Sequence, residues 1–153
     1  MPDTYTVTRE VLVAAPPAAV HELLVDFRRW REWSPFEDLD PGMQRRYEGS
    51  DVGSTYAWSG STKAGTGRME LVVADPDRVV VHQQNHKPFR TTSTTTFTLV
   101  PVDGATRVTW SGSGTQTGLL RLVGRVVPME KVLGPVFEKG LARLRERAEG
   151  RRS

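Results

Sequence analysis
Two periods divide the chain. From Met129 the apolar residues Val132, Leu133, Val136, Phe137, Leu141 and Leu144 fall at offsets 3, 4, 7, 8, 12 and 15, the spacing of one helical face. Glu130, Lys131, Glu138, Lys139, Arg143 and Arg145 lie between them and suit the wet side. The stripe begins near Leu119. Pro128 and Gly134-Pro135 interrupt it, so the pattern predicts a first segment at 119–127, a kink, and a longer helix to about 148. Almost everything earlier alternates with period two. A long amphipathic helix after a β-rich chain needs an apolar surface, and one antiparallel sheet supplies it. If that sheet curves, a pocket forms between sheet and helix.

Taken in order, Tyr5–Val13 is a first strand, rich in β-branched residues. Pro17 suits an early helical position. Val20, Leu23, Leu24 and Phe27 then predict one or two short helices across residues 17–33, with His21 on the surface. Residues 34–42 form a loop with two prolines and a glycine, apolar at Trp33, Phe36 and Leu39 and acidic at Glu37, Asp38 and Asp40. Such a loop covers a pocket mouth or plugs the core. Its acids lack the pattern of a calcium loop and have no histidine at ligand spacing. Residues 43–112 then read as six strands: 43–49, 53–60, 63–73, 78–86, 90–100 and 106–112. Asp103-Gly104 is a hairpin turn, and residues 113–118 are a flexible joint.

Strand parity names the inward residues. Tyr56 pairs with Trp58, and Met69 and Leu71 share a face with Gly65, Gly67 and Val73. Phe97 goes with Leu99, and Val108 with Trp110. The strand 78–86 offers two faces: Val79-Val81-Gln83-Asn85, and Val80-His82-Gln84-His86. If the first faces inward, two amides stand in an apolar space and need partners.

The chain has 153 residues, 37% of them hydrophobic and 25% charged, which predicts one domain over residues 1–148 and a disordered basic tail at 149–153. It has no cysteine, which excludes a disulfide framework and a thiol nucleophile and fits a reducing compartment. No apolar run is long enough to span a membrane, and the N-terminus has no apolar leader. The expected location is therefore cytoplasmic. The net charge is only +3, with 17 Arg against 4 Lys and acids interspersed throughout. No nucleic-acid partner is expected. There is no G-x-S-x-G, no His-Glu-x-x-His and no phosphate-binding loop.

This order of elements resembles the START-like, or SRPBCC, helix-grip superfamily, and within it the polyketide cyclase/dehydrase branch. The resemblance rests on Ala15-Pro16-Pro17-x-x-Val20, Phe27-x-x-Trp30-x-x-Trp33-Ser34-Pro35-Phe36 and Leu39-Asp40-Pro41. It continues through Tyr56-x-Trp58-x-Gly60, Gly65-x-Gly67-x-Met69, Lys87-Pro88-Phe89, residues 106–110 and Phe137-Glu138-Lys139-Gly140-Leu141. It implies an α+β helix-grip fold: a curved antiparallel sheet of about seven strands around a long C-terminal helix, with two short helices after the first strand. It also implies a small hydrophobic or amphipathic ligand in the cavity, lipid included, and no organic or metal cofactor. The expected ligand-binding residues are Tyr56, Trp58, Met69, Gln83, Asn85, Phe97 and Trp110 from the sheet, with Leu133 and Phe137 from the helix. No catalytic or metal-ligating residue is assigned. Three functions stay open: ligand binding, cyclase-like turnover of a carbonyl compound, and a closed core that serves protein interaction.

Overall fold
The computed structural model describes residues 4–38, 40, 42–60, 65–87, 91–115 and 129–150, with the side chains of Lys87, Thr115 and Met129 left aside. Seven strands form one antiparallel sheet: β1 (Thr4–Val13), β2 (Gln44–Glu48), β3 (Thr55–Ser59), β4 (Thr66–Asp75), β5 (Arg78–Lys87), β6 (Thr91–Val102) and β7 (Ala105–Thr115). Their order across the sheet is β1-β7-β6-β5-β4-β3-β2. The sheet is curved and open. Helix α1 (Pro17–Val25) and two 3-10 turns, Phe27–Glu32 and Pro35–Asp38, follow β1. Helix α2 (Met129–Ala148) comes last. This is the helix-grip architecture that the periodicities and the resemblance led us to expect.

Three local features build the frame. Pro17 opens α1 where its missing N–H costs nothing, and Val20, Leu23 and Leu24 bury one face. Carbonyls near the end of α1 lack helical donors, and two tryptophans supply them. Trp30 Nε1 donates to the Leu24 carbonyl at 2.9 Å and Trp33 Nε1 to that of Leu23 at 3.0 Å. Asp103 (φ 47°) and Gly104 (φ 82°) make the tight β6–β7 turn, which requires positive φ at both positions.

Helix α2 packs chiefly along β1. Phe137, Gly140, Leu141 and Leu144 are buried against the sheet. Arg9 on β1 binds Glu138 (2.9 Å) and Glu130 (3.4 Å), on either side of Gly134 and Pro135, through which the helix continues. At the far end the Ala14 amide donates to Glu149 at 2.8 Å. Glu149, assigned to the tail from sequence, is therefore tied to the body. Residues 151–153 and the expected segment 119–127 lie outside the described residues.

Several expectations need correction. The strand β7 runs through Ser113, Gly114 and Thr115, which pair with Thr6, Tyr5 and Thr4. Residues 113–115 therefore belong to a strand and not to the predicted joint, because the backbone of β1 offers partners that glycine's weak strand propensity does not reveal, and residues 116–118 lie outside the described residues. In β4 the register shifts between Leu71 and Val73, so Ala74 rather than Val73 pairs with inward Val79. A bulge adds one residue and reverses parity beyond it. Val132 is 46% exposed, off the buried stripe. His21 is not a free surface residue: its Nε2 lies 3.2 Å from the Ala74 carbonyl, which can only accept.

Candidate functional site: the polar end of the concave face
Strand pairing arranges the inner face in transverse rows. Val11, Val108 and Leu99 make one row, and Trp110, Phe97 and Val79 the next, with Arg9 at its edge. Then come Val7, Gly112, Thr95, Val81 and Leu71. A fourth row holds Tyr5, Gly114, Ser93, Gln83, Met69, Tyr56 and Tyr47. A fifth holds Thr91, Asn85, Gly67, Trp58 and Arg45. The face thus passes from aliphatic and aromatic at one end to hydroxyls and amides at the other.

The apolar end is filled. Trp33 packs edge-on against Phe97 (5.8 Å) and Trp110 (5.6 Å), and the Phe137 ring stacks on Trp110 at 4.1 Å and 9°. Phe97, Trp110, Phe137, Tyr56 and Met69, all expected ligand-binding residues, are buried in this cluster. Phe137 also fills the space that a side chain on Gly112 would take, 2.8 Å from that Cβ position.

At the polar end the parity reading holds. Gln83 and Asn85 share the inner face with Val79 and Val81, and His82, Gln84 and His86 are exposed. The amides are half-buried and linked: Gln83 Nε2 donates to Asn85 Oδ1 at 3.0 Å, and Asn85 Nδ2 to Thr91 Oγ1 at 2.8 Å. Two aromatic rings flank them, each lying across a glycine. The Trp58 ring covers Gly67, 2.6 Å from its Cβ position, and the Tyr5 hydroxyl lies 2.7 Å from that of Gly114. Leu133, partly buried, sits one turn before Phe137 on α2. The outcome is a polar floor between two aromatic walls. Burial raises the Tyr5 pKa, so its hydroxyl stays protonated and can donate.

Tyr5 was not among the expected residues, although alternation along β1 puts it on the side of Val7 and Val11. The expected loop acids separate into three tasks. Glu37 binds Arg45 (2.9 Å) and accepts from the Tyr56 hydroxyl (2.6 Å). Asp38 pairs with Arg143 and Lys139 of α2. Asp40 accepts from the Gly42 amide. No metal-binding group of three side chains occurs among the described residues. Tyr56 therefore commits its hydroxyl to Glu37, and burial and that bond raise its pKa strongly. Trp33 plugs the core, Phe36 is 38% exposed, and Leu39, Pro41, Pro88 and Phe89 lie outside the described residues.

The family model for polyketide cyclase / dehydrase and lipid transport matches residues 4–149. The chain belongs to this family. A search of curated proteins found no match. Among solved structures the di-domain ARO/CYC StfQ of the steffimycin biosynthetic pathway superposes with a TM-score of 0.69 at 17% identity, covering 96% of this chain and 50% of StfQ. Mll3558 from Rhizobium loti gives 0.66 at 22% identity, covering 92% and 96%. A Thalictrum norcoclaurine synthase mutant, in complex with a transition-state analogue, gives 0.65 at 13% identity, covering 93% and 94%. At these identities the likeness is one of fold. No helix among the described residues is long and apolar enough to cross a membrane.

Proposed function
We propose that this family member binds a small hydrophobic or amphipathic molecule at the polar end of the concave face. The observation that carries the reading is the half-buried ladder Gln83–Asn85–Thr91 between the Trp58 and Tyr5 walls. A mostly apolar space with a few convergent polar groups is the ordinary form of a small-molecule site. Polar side chains facing a core are costly unless something hydrogen-bonds them, and a ligand head group would share that task. Tyr5, Trp58, Met69 and Leu133 would contact the apolar body. Phe97, Trp110 and Phe137 would form the deep end.

Binding is favoured over cyclase turnover by the chemistry of the floor. Amides and alcohols orient a ligand but do not exchange protons near neutral pH, as general acid–base catalysis requires. Among the described residues no carboxylate or histidine stands on these two rows. We further read residues 1–148 as one cytoplasmic domain that needs no organic or metal cofactor.

Native mass spectrometry of the purified protein, with a thermal-shift screen of lipids, sterols and aromatic polyketides, tests the reading. A retained small molecule, or a melting temperature that climbs with ligand concentration, is the expected result. An empty spectrum and no shift across the panel would overturn it and favour the closed core.

A further inference from the structure
We infer that the Trp110 indole N–H is an unspent recognition donor of the cavity, and that the bound molecule places a carbonyl or hydroxyl oxygen on it. The inference deepens the binding reading and rests on it. Trp110 is 2% exposed, and its Nε1 has no hydrogen-bond partner among the described residues. The contrast lies within the same aromatic cluster. Trp30 and Trp33 are as deeply buried, and both their N–H groups are satisfied at 2.9 and 3.0 Å. A buried donor without a partner has lost its water and gained nothing in return. Such a group binds an incoming acceptor more strongly than a solvated donor does, because its own desolvation is already complete.

The fold provides an approach. On its inner face β7 presents Trp110, then Gly112, then Gly114, so no side chain of β7 itself stands between the polar floor and the indole. Two rings from other elements occupy that space: Phe137 over Gly112 and Tyr5 over Gly114. Phe137 stacks flat on Trp110, as a planar ligand would. It lies two residues beyond Pro135, where α2 lacks an internal N–H donor, so the helix is least restrained where that ring must turn aside. The benzo edge of Trp110 faces Gly140, its Cζ3 lying 2.7 Å from that Cβ position. The N–H is on the opposite side of the ring, away from that glycine.

The test uses two planar probes of nearly the same shape, 2-acetylnaphthalene with an acceptor oxygen and 2-ethylnaphthalene without one. Affinities are measured for the wild-type protein and for Trp110→Phe, which keeps a ring and removes the N–H. We expect the wild type to prefer the acetyl probe by about tenfold, the equivalent of ~1.4 kcal/mol, and Trp110→Phe to abolish the preference. In the wild-type protein the acetyl probe alone should move the Trp110 indole resonance in a 15N-resolved spectrum, a readout that stands even if the variant does not fold. Equal binding of both probes to the wild type overturns the inference and leaves the binding reading standing. A preference that survives in Trp110→Phe also overturns it, and assigns the acceptor to Gln83 or Asn85. Failure of both probes and of the wider panel overturns both together.

Discussion

The Tyr56 hydroxyl donates a 2.6 Å hydrogen bond to the Glu37 carboxylate, whose other oxygen accepts from Arg45 at 2.9 Å. This contact ties the loop after α1 to strands β2 and β3. The Glu37 and Arg45 side chains are only 9% and 11% exposed. Breaking a buried pair from one side strands the other charge, at a cost of about 3–5 kcal/mol, whereas a single hydrogen bond to a charged group is worth about 1.5–3. Glu37→Ala should therefore destabilise more than Tyr56→Phe in urea unfolding. The reverse order would mean that Arg45 finds water readily and the pair is of little consequence.

All three tyrosines have raised pKa values, with burial the leading cause for each. Above the ordinary tyrosine value near 10 the unfolded chain releases phenolic protons while the folded chain keeps them. The unfolded state then binds fewer protons, so stability falls as pH rises, by up to about 1.4 kcal/mol per pH unit per tyrosine. It is fully present below pH ~10 and declines above it. Absorbance at 295 nm should show little phenolate until the protein unfolds. Three independent titrations near pH 10 in folded protein would contradict this.

Two of the glycines beneath aromatic rings, Gly67 and Gly112, should respond unequally to alanine. At Gly67 an added Cβ meets the Gln84 carbonyl at 2.6 Å as well as the Trp58 ring. At Gly112 the nearest contacts are all with the Phe137 ring, the nearest at 2.8 Å. A ring on a helix can shift and a strand carbonyl cannot without loss of pairing. Gly67→Ala is expected at or above the upper end of the ~1–3 kcal/mol that overpacking costs, and Gly112→Ala lower in it. Thermal unfolding of the two variants gives the order directly.

Replacing both amides by Gln83→Leu with Asn85→Leu removes two half-buried polar groups bonded to each other, and leaves Thr91 Oγ1 without the Asn85 donor. Loss of both partners together is close to neutral or stabilising. The melting temperature should hold or rise, while affinity for a polar-headed ligand found in the screen falls about tenfold or more. Unchanged affinity would remove the amides from the site.

The sequence by itself determined what depends on local period. The helical face at Phe137, Leu141 and Leu144, the strand alternation that puts Gln83 and Asn85 on one face with Val79 and Val81 and His82 on the other, and the Asp103-Gly104 turn are each set by neighbouring residues. The same alternation would have identified Tyr5. Tertiary structure decided what depends on partners far along the chain. The bulge that exchanges Val73 for Ala74 follows from pairing with β5, and the extension of β7 through Gly114 from pairing with β1. Only the folded chain separates Glu37 from Asp38, sending one to Arg45 and the other to Arg143. It alone leaves the Trp110 N–H without an acceptor among the described residues while Trp30 and Trp33 find theirs. Periodicity specifies which side a residue faces. What it meets there is fixed by long-range packing, in which rings from separate elements compete for the space above each glycine.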